Sequence, residues 1–151
     1  MYRLWPTLML TALLSACASS APNADGENNT DKLHRAEQAY TDGLFVEAEA
    51  YYRELVNDNP ALYQGWFRLG NIYARSNQLD AAITMYERCL ELDPDQARAW
   101  YNLALVRTRQ SLRTLADAEQ RFSDQPADQR RLGALRERLV DALTAGQAEG
   151  R

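Results

Sequence analysis

One histidine, His34, and two cysteines, Cys17 and Cys89, are all that 151 residues offer in those types. A single histidine excludes every site that needs two, so neither an H-E-x-x-H motif nor a Cys/His metal set can be assembled. No phosphate-binding loop and no nucleophile elbow is present. His34 as a general base would need a nucleophile and an orienting carboxylate, and the spacing reveals neither, so it reads as a surface histidine. Asn57-Asp58-Asn59 and Asp93-Pro94-Asp95 lack the glycine and closing glutamate of calcium loops and read as turns and caps. The expectation is a protein that is not an enzyme and takes no cofactor or metal.

Glycine and proline are absent between Ala97 and Gln125. That predicts one long helix from about Ala97 to Phe122, with a hairpin turning near Gln110 to Arg113 as the alternative. Pro126 ends the stretch, and Leu132, Leu135, Leu139 and Leu143 then recur at helical spacing, one apolar stripe on a last helix. Gly146 onward reads as a frayed end.

What is present is a period of 34 residues. Pro60 recurs as Pro94, Ala48 as Ala82, Tyr52 as Tyr86 and Trp66 as Trp100, while Ala36, Gly70 and Ala104 keep one position small. A period of that length marks stacked helix-turn-helix units. Gly70 in mid-helix costs roughly 1 kcal/mol relative to alanine, which a close helix crossing would explain. The apolar residues expected to fill the space between helices include Trp66, Leu69, Tyr73, Ile83, Tyr86, Trp100 and Leu103. Gly43 and Asn77 stand 34 apart and suit the left-handed conformation that ends a helix. Asn59-Pro60 and Asp93-Pro94 read as an N-cap followed by a first helical residue.

Trp66, Leu69, Gly70 and Tyr73, with Ala82, Tyr86 and Pro94, carry a strong resemblance to the tetratricopeptide repeat (TPR), whose motif is W-x-x-L-G-x-x-Y. The preceding unit keeps Ala36, Gly43, Ala48, Tyr52 and Pro60 but has Lys32 and Arg35 in place of Trp and Leu, as an N-terminal repeat with a partly solvated first helix would. The resemblance implies an all-α stack of helical hairpins over residues 31–145. Its units are about 29–62, 63–96, a degenerate 97–125 beginning as a long helix, and a cap at 126–145, with a flexible tail at 146–151. It also implies a concave face lined by the first helix of each hairpin. Leu33, Glu37, Tyr40, Phe67, Asn71, Arg75, Tyr101, Leu105 and Arg109 would stand there and receive an extended or helical peptide. Packing of Phe67 and Tyr101 against neighbouring repeats is the alternative. Asn71 and Asn102 match two positions of the clamp with which some TPR co-chaperones hold a C-terminal carboxylate, but Phe67 replaces a lysine of that clamp.

At the amino terminus, Arg3 precedes the apolar run Leu8 to Leu14, too short to span a bilayer and suited to a secretion signal. Leu14-Ser15-Ala16-Cys17 then looks like a bacterial lipobox, which implies a signal peptide over 1–16 and acylation of Cys17. Ala18 is not the aspartate that retains such lipoproteins in the inner membrane, so an outer-membrane anchor facing the periplasm is expected. Residues 18–30 lack aromatics and bulky apolar side chains and read as a disordered tether, spanning on the order of 20 Å as a coil. With Cys17 acylated, no intramolecular disulfide is available and Cys89 reads as a packed core thiol.

The net charge of −4 is unevenly placed. Residues 17–97 carry 6 basic and 14 acidic side chains, whereas 98–151 carry 10 and 7, every basic one an arginine. Arg98, Arg107, Arg109, Arg113, Arg130, Arg131, Arg136 and Arg138 form either a patch for an acidic partner or a solvated face paired with Asp117, Glu119, Asp124, Asp128 and Glu137. An exported acidic chain is unsuited to nucleic acid. In plan it is similar to TPR lipoproteins that serve as pilotins or assembly partners of pili. The implied role is an envelope adaptor or assembly factor for pilus or secretion machinery, binding a protein or peptide segment. An adaptor for peptidoglycan enzymes or outer-membrane biogenesis, and an accessory to a periplasmic enzyme, stand as alternatives. Oligomeric state is left open.

Overall fold

The structure, a computed structural model, describes residues 28–149, with side chains to Thr144. Cys17, the signal sequence and most of the tether lie outside the described residues. Six helices follow in order: α1 (Asn29–Thr41), α2 (Phe45–Asp58), α3 (Tyr63–Arg75), α4 (Leu79–Leu92), α5 (Ala97–Arg121) and α6 (Pro126–Glu149). Among the described residues there is no strand. Each helix packs on the next in sequence, and α3 also touches α5. Helix α1 begins at Asn29, so the last two residues read as tether are helical, with Asn28 Oδ1 accepting the Thr30 N–H at 3.2 Å. At the other end α6 continues through Gly146 to Glu149, where a frayed tail was expected.

The hairpin turns fall where the residues permit a left-handed backbone: Gly43 has φ 78° and Asn77 φ 59°. The corresponding Ser111 has no such tolerance, its hydroxyl donates back to the Arg107 carbonyl at 3.0 Å, and α5 runs on as one helix.

Asn59 and Asp93 correct the sequence reading. They are the C-caps of α2 and α4, and α3 and α5 start later, behind Leu62 and Gln96, which make no side-chain cap bond. Each acts instead as a turn former, Asn59 Oδ1 accepting the Ala61 N–H and Asp93 Oδ1 the Asp95 N–H, both at 3.2 Å. The prolines matter through their carbonyls. Trp66 Nε1 donates to the Pro60 carbonyl at 2.9 Å and Trp100 Nε1 to that of Pro94 at 2.8 Å, so the indole clasps the loop that leads into its own helix.

Two buried clusters make one continuous core. The first joins Ala36, Ala48, Tyr52, Leu55, Leu69 and Ile72, and the second Ala82, Tyr86, Cys89, Ala99, Leu103 and Val106. Trp66 and Tyr73 pack against both. The Cys89 thiol is fully buried, and burial pushes its pKa up to about 11. Gly70 is small because a Cβ there would lie 2.6 Å from the Tyr86 ring, itself 1% exposed. Ala36, 34 residues earlier, is 0% exposed, but Ala104 is exposed because no second helix crosses it. For the same reason Trp100 is 53% exposed and does not fill the interior as expected.

The N-terminal end is closed by polarity. Arg35 and Gln38 occupy the positions of Leu69 and Ile72, and Lys32, in place of Trp, bridges Asp58 at 3.0 Å and Glu54 at 3.2 Å. These two carboxylates hold the lysine pKa above its ordinary value. At the other end α6 covers α5 alone, so it caps the overhang of that helix and not the body of the stack. Of its expected stripe, Leu132, Leu139 and Leu143 are half-buried while Leu135 is 46% exposed.

Replacing Gly70 by alanine gains about 1 kcal/mol of helix propensity but forces Tyr86 from its seat, at a cost of about 1–3 kcal/mol. Urea denaturation of Gly70→Ala should therefore show a net loss of stability, and a gain would contradict the close crossing.

Candidate binding groove

Helices α1, α3 and α5 contribute to a groove of about 450 Å³ that α4 reaches through Tyr86. The same repeat positions return along it: Tyr40 and Ala74, Asn71 and Leu105, Arg75 and Arg109, with Asn102 and Val106 completing the wall. Of the residues expected on the concave face, the structure brings Tyr40, Asn71, Arg75, Leu105 and Arg109 together here. It places four elsewhere. Leu33 packs half-buried against the first cluster, and Phe67 against the second, its ring 6.0 Å from that of Tyr86. Glu37 is held in a two-point ion pair by Arg68, at 2.6 and 3.0 Å. Tyr101 is 55% exposed and does not line the groove.

A small polar network sets the floor. Asn71 Oδ1 accepts from the Tyr86 hydroxyl at 2.8 Å and from Asn102 Nδ2 at 2.9 Å. Burial pushes the Tyr86 pKa up to about 12, so the phenol stays protonated and donates at neutral pH. The network leaves Asn71 Nδ2 as a donor and Asn102 Oδ1 as an acceptor, the pair of functions that one peptide unit of a bound chain requires.

The electrostatics are one-sided. Two arginines and no carboxylate line the groove, in a protein of net charge −4. The Arg75 guanidinium sits over the Phe45 ring, 5.1 Å from its centre, which fixes its direction without neutralising it. Arg109 is exposed and has no carboxylate partner among the described residues. The neighbouring Arg68 is spent on Glu37 and lies over Tyr40 at 4.5 Å. No group of histidine, cysteine, aspartate or glutamate among the described residues could hold a metal ion.

Comparison with known proteins bears on this geometry. The family described as TPR repeat matches residues 70–111. The TPR2B domain of yeast Sti1, solved as a complex with pHsp70, superimposes with a TM-score of 0.52 at 17% identity, covering 76% of this chain and 97% of that one. The fold is a TPR-type helical stack. Curated TPR-bearing relatives are similar over shorter stretches. The peroxisomal targeting signal receptor of Yarrowia lipolytica is 32% identical over 78 residues, 52% of this chain and 13% of that protein. The human protein O-mannosyl-transferase TMTC3 is 35% identical over 60 residues, 40% of this chain and 7% of that protein. The chain thus spans a small fraction of the length of these relatives, and the likeness to transferases runs through the TPR segment alone. TPR stacks are typically non-catalytic interaction modules.

Ala74 and Val106 are groove residues that the sequence reading did not name, and Tyr86 was named only as core. Tyr86 looks like pure core, and only the hydroxyl end reaches the groove. Asn102 signalled its place through its resemblance to a clamp position.

Tyr86→Phe removes the hydroxyl that Asn71 accepts and should cost about 1 kcal/mol. A urea midpoint for Tyr86→Phe equal to that of the parent chain would refute the network.

Proposed function

We propose that this chain is a protein-protein interaction adaptor of the bacterial envelope, anchored through an acylated Cys17 to the periplasmic face of the outer membrane, where it assists assembly of pilus or secretion machinery. The TPR stack indicates the adaptor. The groove carries the finer reading of its ligand: Arg75 and Arg109 supply positive charge, and Asn71 and Asn102 a spare donor and acceptor, which together suit an acidic extended segment of a partner. Phe67, packed on Tyr86 where a clamp lysine would stand, argues against capture of a chaperone tail by its terminal carboxylate. The anchor rests on the lipobox Leu14 to Cys17 and the polar tether that follows it. More than one acyl chain holds a protein stably where one binds marginally.

A photocrosslinker at Leu105 or Arg109 in cells should capture a discrete envelope protein, and Arg109→Glu should weaken that partner's binding about tenfold. Self-crosslinks alone, or indifference to charge reversal, would overturn the groove assignment. Independently, Cys17→Ser should abolish acylation and release the chain from membranes. A variant that stays bound through a high-salt wash would show attachment by a partner instead of by lipid.

A further inference from the structure

Beyond Val106, α5 and α6 form a two-helix arm with little interior. Among its described side chains only Leu115 is buried, at 9% exposure, and α6 touches no helix other than α5. Two antiparallel helices bury one stripe each and leave the opposite faces open. Along α6 an open trough of about 1000 Å³ is lined by Phe122, just past the end of α5, and by the α6 residues Leu132, Leu135, Arg130, Arg131 and Arg138.

The arginines differ in whether they hold a carboxylate, as Arg53 holds Glu49. Arg68, Arg88, Arg107 and Arg136 each hold a carboxylate, Glu37, Glu91, Glu87 and Glu119 respectively. Arg130, Arg131 and Arg138 hold none among the described residues, although Asp128 lines the same trough and Asp124, Glu137 and Asp141 are near in sequence. Among the described residues, the solvated, internally paired face open to the sequence reading is realised only in Arg136 with Glu119, while Arg107 pairs with Glu87 of α4. Three cations against one carboxylate surround apolar atoms that the chain itself does not cover.

We infer that this trough is a second docking site, distinct from the concave groove, for an amphipathic helix of a partner protein that carries an aliphatic stripe flanked by aspartate or glutamate. A helix fits better than an extended segment, because the trough, unlike the groove with Asn71 and Asn102, has no side-chain amide among its lining residues to satisfy an extended backbone. Arg131 and Arg138 are seven residues apart, the spacing at which flanking positions of a packed helix recur, so each meets one acidic side chain of an antiparallel or parallel partner. An isologous contact with a second copy would bring six arginines together with only two aspartates among the lining residues to offset them.

The test uses the full chain and three labelled helical peptides of three heptads each, read by fluorescence anisotropy. One has leucines at the core positions with flanking glutamates, one has the same composition scrambled, and one has flanking lysines. Only the first should bind saturably, and its affinity should fall as sodium chloride rises from about 0.05 to about 0.5 M. Arg131→Glu with Arg138→Glu should weaken it about tenfold or more, with circular dichroism unchanged. Leu135→Ala should weaken it as well, while Arg109→Glu in the concave groove should leave it untouched. Equal binding of the scrambled or lysine peptide overturns the proposal. So does a charge-reversal-sensitive association with phosphatidylglycerol vesicles, or a dimer in sedimentation that the same reversal abolishes. Loss of binding in Arg109→Glu alone would place the peptide in the groove, ending this proposal and sparing the other.

Discussion

The seat of the Tyr86 ring on Gly70 governs both the crossing of α3 with α4 and the chemistry of the groove. Any side chain at position 70 would enter the volume the ring occupies. With the ring in that seat, its hydroxyl reaches Asn71, one residue along the same helix, and Asn71 in turn receives Asn102 from α5. Three helices are thus registered by a glycine and one shared amide oxygen. A buried ring is a rigid strut, so sub-ångström changes at Gly70 are transmitted to the polar floor instead of being absorbed.

The same contact explains how the stack ends. Tyr52 against Ala36 and Tyr86 against Gly70 are successive copies of one crossing, and the third copy is missing because α5 does not turn. Without it Ala104 and Trp100 stay in solvent, and α5 instead overhangs the body and takes α6 as its companion. The two ends are therefore unlike. The first is closed by Arg35, Gln38 and the Lys32 ion pairs, the second by extending away from the core.

Much of this was legible in the period of 34. Gly43 and Asn77 gave away their turns because backbone handedness is a local property, and the long α5 followed from a run without glycine or proline. What was misread depends on neighbours. Asn59 and Asp93 have the side chains of N-caps and sit at the opposite helix end, since the same oxygen that caps a helix also closes a turn. Trp100 carries the motif of Trp66, yet burial belongs to the helix that crosses it, and that helix is absent. In the groove, the repeat positions of Asn71, Arg75, Leu105 and Arg109 could be counted from the sequence. Glu37 could not be discounted, because its pairing with Arg68 spans 31 residues.

Among the described residues, helix contacts join neighbours in sequence except for α3 with α5, and each Trp–Pro clasp closes within six residues. A contact map so close to the diagonal has low contact order, which favours rapid folding with little loop-closure entropy to overcome first. The first hairpin and α3 hold most of one core cluster before α5 is needed, so the chain can acquire structure from its amino end while its carboxyl end is still being delivered.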